Sequence, residues 1–536
     1  MVHCFGRAAL AQTGAGGDVP LTPEQFTSLV FEPLAETPID AISFSFGSGN
    51  VAEYESRVLE WPGQADRFQF PENRTWHGGV EVDPADQYHN PKHLADVGHN
   101  PPALVVAECR RRGIDAFASY RMNDCHDGHH PKGTLPNPEF PTFKRLNPDW
   151  LVEDLDWWSA LNFAHPRVRA LKLRAIEELF ERWDFDGIEL DWLRHTLYFP
   201  RGTEKANGHY LTELLRAVRK SLDRRAAERG RPIEIAVRIP ERVEWCRAGG
   251  FEVGDWIEDD LVDVLILGQG LTEAPGVNEF RALMGSRRLP IYGSLYTYGN
   301  GYPISPEAVV RGSAANLWRD GVDGVYTFNW YLRGNWRRAL LRDIVAPERL
   351  SHQRQVYTVP QRFQELLGKS GTDFIRYNTT SLAARLPLEL REGESPWTLE
   401  IPVANDASAG DAETRAPETA AKCELWLALD HFGEGDGLKV SFNGDVLREP
   451  DVESGSGFES VGSDVEVPAG CGLLGFPDER RFGGKFQGLR IPVPTRLVRA
   501  GSNALKLELV RRRPGIEFSI RLARVELLVE PPLRAF

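Results

Sequence analysis

Two acidic residues, Glu189 and Asp191, are separated by one position in the segment 186–191. Because side chains alternate across a β-strand, both carboxyl groups project to the same side, opposite Leu190. Paired carboxyl groups can act as the acid and the base of a hydrolytic reaction. For Glu189 a second interpretation is an internal salt bridge, for instance with Arg238. Asp191, at the strand end, could cap the next loop, but a role in catalysis is favoured for it.

The surrounding residues 185–194 (FDGIELDWLR) and 162–169 (NFAHPRVR) resemble glycoside hydrolase barrels, specifically a glycosyl-hydrolase-like group loosely related to family 10. The resemblance extends more weakly over most of residues 20–345. It implies a carbohydrate substrate, and Asp191 is then the candidate nucleophile or base. A chitinase-type barrel is similar up to this point, but it places its acidic proton donor where this chain has Leu193. An alkyl side chain cannot donate a proton, which excludes the chitinase mechanism.

A second carboxyl group must therefore come from another strand, because glycosidic cleavage normally uses two. The loop after the fifth predicted strand offers Glu241 and Glu244. Glu241 is nearer the strand end and is the preferred acid. Either residue could instead be a solvated charge of a loop or helix.

The loop 121–130 (RMNDCHDGHH) follows another predicted strand, and its first residues also resemble the glycosidase-like proteins. Its polar side chains could form planar hydrogen bonds with sugar hydroxyls. The candidates are Arg121, Asn123, Asp124 and His126. A divalent metal is the rival ligand, with Asp124, His126, Asp127, His129 and His130 as donors, but the spacing matches no firm metal signature and no metal is predicted.

Other substrate-binding candidates follow the remaining strand ends, where flat aromatic rings suit the C–H faces of sugars. They are Trp192, Arg194, Arg238, Gln269, Tyr296, Asn329 and Trp330. Of these, Arg238 could bind an anionic sugar. No glycine-rich phosphate loop lies between a strand and a helix, so no cofactor is expected.

The elements that would position these residues alternate between short strands and amphipathic helices, the pattern of parallel βα units. Eight strands predict a (β/α)₈ barrel over residues 1–350, with its active site at the carboxyl end of the strands. The predicted strands are 2–5, 41–46, 115–120, 186–191, 233–238, 262–267, 289–295 and 323–328.

After about residue 350, alternating apolar runs separated by turn residues replace the helical pattern. They predict a linker over 351–375 and a β-sandwich over 376–536, with strands at 423–429, 438–442, 504–510 and 516–528. This region resembles the jelly-roll modules that follow many glycosidase barrels, and a structural role is favoured for it over sugar binding.

The amino-acid composition argues against several classes of function. With 63 Lys+Arg against 77 Asp+Glu, the net charge of −14 disfavours a nucleic-acid-binding protein, and the apolar runs are too short to cross a membrane. The six scattered cysteines predict isolated thiols, and no export signal is expected at the N-terminus. A glycoside hydrolase that could form a homo-oligomer is therefore the preferred interpretation. A non-catalytic carbohydrate-binding scaffold and a metal-assisted hydrolase using the loop 123–130 are the alternatives.

Overall fold

The computed structural model describes most of the chain. The described residues are 1–5, 20–64, 75–77, 80–82, 86–128, 138–152, 158–271, 275–296, 305–330, 335–360, 384–407, 421–447, 451–454 and 487–531.

Eight parallel strands close into a barrel, each paired with its neighbours in chain order and the last with the first. They begin and end within two residues of the predicted positions, so the predicted barrel is confirmed. The strands are β1 (Val2–Phe5), β2 (Ala41–Ser45), β3 (Asp115–Arg121), β4 (Gly187–Asp191), β5 (Glu234–Ile239), β6 (Val264–Leu267), β7 (Ile291–Tyr296) and β8 (Gly324–Phe328). A short hairpin of Thr75–His77 and Val80–Val82 lies between β2 and β3.

Helices connect the barrel strands. They are α1 (Pro23–Phe31), α2 (Asp86–Asp96), α3 (Pro101–Arg112), α4 (Thr142–Leu146), α5 (Pro166–Arg182), α6 (Glu204–Asn207), α7 (His209–Arg229), α8 (Val243–Ala248), α9 (Val253–Glu258), α10 (Val277–Met284), α11 (Glu307–Arg319), α12 (Asn335–Ile344) and α13 (Pro347–Leu350). In α5, Pro166 occupies the first turn, where its missing N–H is not needed. Val168, Ala175 and Leu179 of α5 are buried on one face of the helix. Helix α5 directly precedes β4, the strand that carries Glu189 and Asp191.

The inside of the barrel contains polar side chains. Ser43 and Ser119 are buried beside Glu189, and Ser43 donates a hydrogen bond to it. The Tyr326 hydroxyl of β8 donates to Glu189 of β4 across the lumen, which places both side chains inside the barrel. Because small hydroxyl groups leave room and supply hydrogen bonds, the barrel can hold ionisable groups that an apolar interior would exclude.

Two antiparallel sheets follow the barrel. Their strands are β9 (Gln355–Thr358), β10 (Leu388–Leu390), β11 (Trp397–Val403), β12 (Lys422–Asp430), β13 (Gly437–Phe442), β14 (Asp445–Val446), β15 (Asp451–Ser454), β16 (Gln487–Pro492), β17 (Gly501–Arg511) and β18 (Ile520–Glu530). One sheet has the order β9-β18-β12-β16-β15, with β10 also on β18, and the other has the order β11-β17-β13-β14. The jelly-roll topology stays a prediction.

Several predicted boundaries in the C-terminal region differ from the structure, including that of the strand predicted at 504–510, which runs from Gly501 to Arg511. The predicted linker 351–375 contains strand β9, which pairs with β18 at the far end of the chain. The last strand starts at Ile520 rather than at residue 516. Sequence patterns missed β9 because four residues are too few to show alternation.

The barrel and the two sheets are in direct contact through helix α11. Asn316 and Arg319 donate hydrogen bonds to the carbonyl oxygens of Pro402 and Val403 in β11. A Cβ atom at Gly312 would lie 2.3 Å from the carbonyl oxygen of Val356, so only glycine permits this approach. Within the described residues, no helix is both long and apolar enough to span a bilayer.

Candidate active site at the carboxyl end of the barrel

Asp191 is the last residue of β4 and is fully buried. Its Oδ1 atom is 3.0 Å from Arg238 Nη1 and accepts a hydrogen bond of 3.0 Å from the backbone N–H of Leu193. Its Oδ2 atom is buried without a hydrogen-bond partner among the described residues. Oδ1 is therefore held by two hydrogen bonds, while Oδ2 accepts none from the described residues.

Arg238 of β5 lies beside Asp191 in the sheet register and is immobilised on several sides. Its Nη2 donates to the carbonyl oxygen of Gln269 at 2.7 Å, and its guanidinium lies 3.6 Å from the centre of the Phe328 ring. Arg238 therefore pairs with Asp191 and not with Glu189, contrary to the salt bridge considered from the sequence. Since these contacts use the guanidinium, Arg238 is also poorly placed to bind an anionic sugar.

Glu189 lies one layer deeper in the barrel. It accepts hydrogen bonds from Ser43 at 2.5 Å and from Tyr326 at 2.9 Å. Burial, with a further contribution from the Asp191 carboxylate, raises the pKa of Glu189 to about 7. Glu189 is therefore protonated below about pH 7 and ionises as the pH rises through that value, next to a carboxylate paired with Arg238.

The loop after β3 is organised around Asp124, which is buried. Arg121 donates to Asp124 Oδ2 at 2.7 Å, and both the backbone N–H and the Nδ1 of His126 contact Oδ1, at 2.8 and 2.5 Å. Burial by itself would raise the pKa of Asp124, but His126 and Arg121 outweigh it and hold that pKa well below its usual range. Asp124 is thus an anionic anchor that fixes two side chains of this loop.

His126 links this loop to the one after β4. Its Nε2 contacts the guanidinium of Arg194. Because a guanidinium can only donate, Nε2 must accept, which assigns the proton of the neutral ring to Nδ1, where it is donated to Asp124. His195 lies alongside, with its ring centre 4.8 Å from that of His126 and its Nδ1 accepting from the backbone N–H of Cys125.

His195 was not among the residues predicted from the sequence. It follows Asp191 by four positions, in the loop at the end of the same strand, and this position was the available signal.

Asp124, His126 and His195 present ligand atoms within 4.8 Å of one another, which raises the question of a metal ion. The arrangement does not fit a divalent cation, because the Arg121 and Arg194 guanidinium groups occupy the same carboxylate and imidazole and would repel it. Asp127, another predicted donor, instead pairs with buried Lys144 at 2.6 Å. His129 and His130 lie outside the described residues.

Asn123 is buried and engaged with the protein itself. Its Nδ2 donates to the carbonyl oxygens of Leu161 and Leu197, and its Oδ1 accepts from the N–H of Leu161. These bonds use both amide N–H groups, so Asn123 joins three loops and has little left for a ligand. It shapes the mouth of the barrel without being placed to grip a sugar.

The two candidate acids differ in environment. Glu241 lies just after β5 and is 6% exposed, and its carbonyl oxygen accepts a hydrogen bond from Gly276. Glu244 lies in the first turn of α8 and is exposed. An enclosed position suits a group that must protonate a substrate oxygen, which favours Glu241.

Trp192 requires a correction. It is fully buried on the outer side of the barrel, with ring centres 5.3 Å from Tyr198 and 5.7 Å from Trp256. As the residue after Asp191, it points away from the lumen toward the helices, so its role is packing rather than substrate binding.

The other candidates surround the mouth. Gln269 donates to the carbonyl oxygen of Leu193, which ties the loops after β4 and β6 together. The Asn329 amide lies 3.4 Å from the hydroxyl of Tyr296, whose ring packs on Phe328. Trp330 is 2% exposed, and its Nε1 has no hydrogen-bond partner among the described residues.

Lys172 of α5 is a further residue that the sequence did not single out. It is buried, and its Nζ donates to the carbonyl oxygen of Gly49 and to Asn50 Oδ1. The Nδ2 of Asn50 in turn donates to the carbonyl oxygen of Asp124. Lys172 therefore fastens the loop after β2 to α5, and Asn50 joins that loop to the loop after β3.

No protein-family model matches the chain, and no curated protein matches it. Among solved structures, glycoside hydrolases are similar to it. The glycoside hydrolase domain of PgaB (BpsB) from Bordetella bronchiseptica matches with a TM-score of 0.41 and 12% identity, covering 64% of this chain and 98% of that one. Alpha-L-fucosidase isoenzyme 2 from Paenibacillus thiaminolyticus matches with a TM-score of 0.38 and 12% identity, covering 64% of this chain and 48% of the fucosidase. A family GH18 chitinase from Chromobacterium violaceum matches with a TM-score of 0.33 and 11% identity, covering 90% of this chain and 87% of that one. Similarity at this level does not assign a function, and the relationship to family 10 stays a prediction.

Proposed function

We propose that the protein is a glycoside hydrolase in which Asp191 is the nucleophile or the general base. The observation that carries this proposal is the buried Oδ2 of Asp191 at the carboxyl end of a barrel strand, which has no hydrogen-bond partner in the part of the chain that the structure describes. Leaving a buried carboxylate oxygen without a hydrogen bond is unfavourable, and such groups concentrate at sites where a ligand completes them. Arg238 and the N–H of Leu193 orient the carboxylate so that Oδ2 can face the substrate.

Glu241 is proposed as the general acid, since it is enclosed and follows the neighbouring strand. Glu189, one layer below Asp191, is proposed to carry a proton at pH values below its pKa of about 7. In that state it adds no second negative charge next to the reacting carboxylate. Gln269, Tyr296, Asn329 and Trp330 are proposed to line the sugar site, with Arg121, Asp124 and His126 shaping its other side.

The test compares wild-type protein with Asp191→Asn on a broad panel of oligosaccharides, with released reducing ends as the readout. Turnover should fall by about 10²–10⁴-fold, while sugar binding measured by calorimetry is largely kept. Asp96→Asn, on the exposed end of α2, is the matched control and should retain full activity. Near-normal turnover by Asp191→Asn on the true substrate would contradict the proposal.

A carbohydrate-binding protein without activity is the second interpretation from the sequence, and the same panel separates it, because binding would then occur without product. The metal-assisted hydrolase finds no support in the charges around Asp124 and His126. Exhaustive chelation should leave activity unchanged.

A further inference from the structure

Arg194 is a cation at the barrel mouth that faces no carboxylate among the described residues. Arg121 is paired with Asp124, and Arg238 is paired with Asp191. Arg194 instead contacts the uncharged Nε2 of His126, and its own Nε atom is buried with no hydrogen-bond partner in the described segments. An arginine offers five N–H donors, and within the described part of the chain Arg194 uses only one nitrogen, Nη2, in its contact with His126.

The surroundings hold Arg194 in place rather than neutralise it. Asp124 binds His126 through Nδ1, and His126 accepts from Arg194 through Nε2. Arg194 also follows Leu193, whose N–H binds Asp191. The guanidinium is thus positioned from the loop after β3 and tethered close in sequence to the proposed catalytic carboxylate.

We infer that Arg194 binds an anionic group of the substrate, a carboxylate or a sulfate ester, and that the protein acts on an acidic glycan. This inference rests on the proposed function. The planar guanidinium matches two oxygens of either group, and charge-assisted hydrogen bonds of this kind are the strong ones. Binding of an anionic sugar, which the sequence suggested for Arg238, is therefore assigned to Arg194. A local cation is needed because the net charge of −14 repels acidic glycans at longer range.

The experiment measures binding by calorimetry to two matched pairs of probes. One pair is tetragalacturonate and its carboxyl-reduced form, and the other is a sulfated carrageenan tetrasaccharide and its desulfated form. Wild-type protein should bind the acidic member of at least one pair at least tenfold more tightly, and added salt should weaken that preference. The pair that shows the preference identifies carboxylate or sulfate as the group bound.

Arg194→Gln should abolish the preference, and Arg194→Lys should retain part of it. Arg496→Gln, at an exposed arginine paired with Asp445 in the C-terminal region, is the control and should leave the preference intact. A preference that survives in Arg194→Gln, equal binding within both pairs, or no binding of either acidic probe overturns the inference. If Arg194→Gln does not fold, the salt dependence of the wild-type preference and the Arg194→Lys variant decide.

Product release from the same probes separates this inference from the proposed function. Preference for an acidic probe that depends on Arg194, without any product, supports the anion site and contradicts the hydrolase. Product from neutral members alone supports the hydrolase and contradicts the anion site.

Discussion

At the scale of single residues, the separation of roles between Asp191 and Glu241 can be tested through the leaving group. A general acid matters most when the departing oxygen is basic and matters little when it leaves as a stable anion. Glu241→Gln should therefore lower kcat/KM by about 10²–10⁴-fold on natural oligosaccharides and far less on a dinitrophenyl glycoside of the same sugar. Asp191→Asn should lower both. Glu244→Gln, which changes an exposed carboxyl group, is the comparison. If Glu244→Gln, and not Glu241→Gln, lost activity on natural oligosaccharides but kept it on the dinitrophenyl glycoside, Glu244 would be the acid.

A second prediction for a single residue concerns Glu189, and it is about the free energy of unfolding rather than the reaction rate. The folded protein holds the Glu189 proton up to a pKa of about 7, whereas the unfolded chain releases it near the ordinary value of 4.5. The contribution of Glu189 to the free energy of unfolding is therefore full below pH 4.5 and declines as the pH rises to about 7, by about 3 kcal/mol in total.

Denaturant titrations of wild-type protein and Glu189→Gln at several pH values measure this difference. The difference between the two free energies should fall across that pH range, because contributions such as that of Asp127 are common to both and cancel. Glu228→Gln, an exposed change on α7, should give a constant difference. Parallel curves for wild-type protein and Glu189→Gln would show that Glu189 ionises normally in the folded state.

At the scale of elements, the loop after β2 supports the loop that carries Asp124. Gly49 has a φ of +72°, and a Cβ atom there would lie 2.1 Å from the carbonyl oxygen of Arg121. Gly49→Ala should therefore displace the end of β3, lower the melting temperature and reduce turnover.

The matched control is Gly98→Ala, where φ is +89° but a Cβ atom would meet nothing within 4 Å. Gly98→Ala isolates the strain of a left-handed residue, about 1 kcal/mol, and should keep full turnover. If both variants lost the same stability and neither lost activity, the contact between Gly49 and Arg121 would not matter for the site.

At the scale of the whole molecule, the sequence predicted what periodicity can encode. The eight barrel strands follow directly from alternation and helical spacing. The pairing of Arg238 with Asp191 could not be predicted from such periodicity, because the two residues are 47 positions apart and become neighbours only through the register of β4 and β5. The contact between His126 and Arg194 is of the same kind, as it needs two loops brought together by the barrel. Candidate residues at the strand ends could therefore be named from the sequence, while their partners, and His195 and Lys172, could not.

The contact between α11 and β11 predicts how the molecule unfolds. Asn316 and Arg319 satisfy two carbonyl oxygens of β11, and a hydrogen bond from a charged donor contributes about 1.5–3 kcal/mol. Replacing both residues by alanine should let the C-terminal sheets unfold before the barrel, so that calorimetry resolves two transitions separated further than in wild-type protein. Because neither residue lies at the barrel mouth, turnover at low temperature should be unchanged. Arg174→Ala, on the exposed face of α5, is the control and should leave the spacing of the transitions as it is. A single transition that shifts as a whole in the double variant would instead mean that barrel and sheets unfold as one cooperative unit.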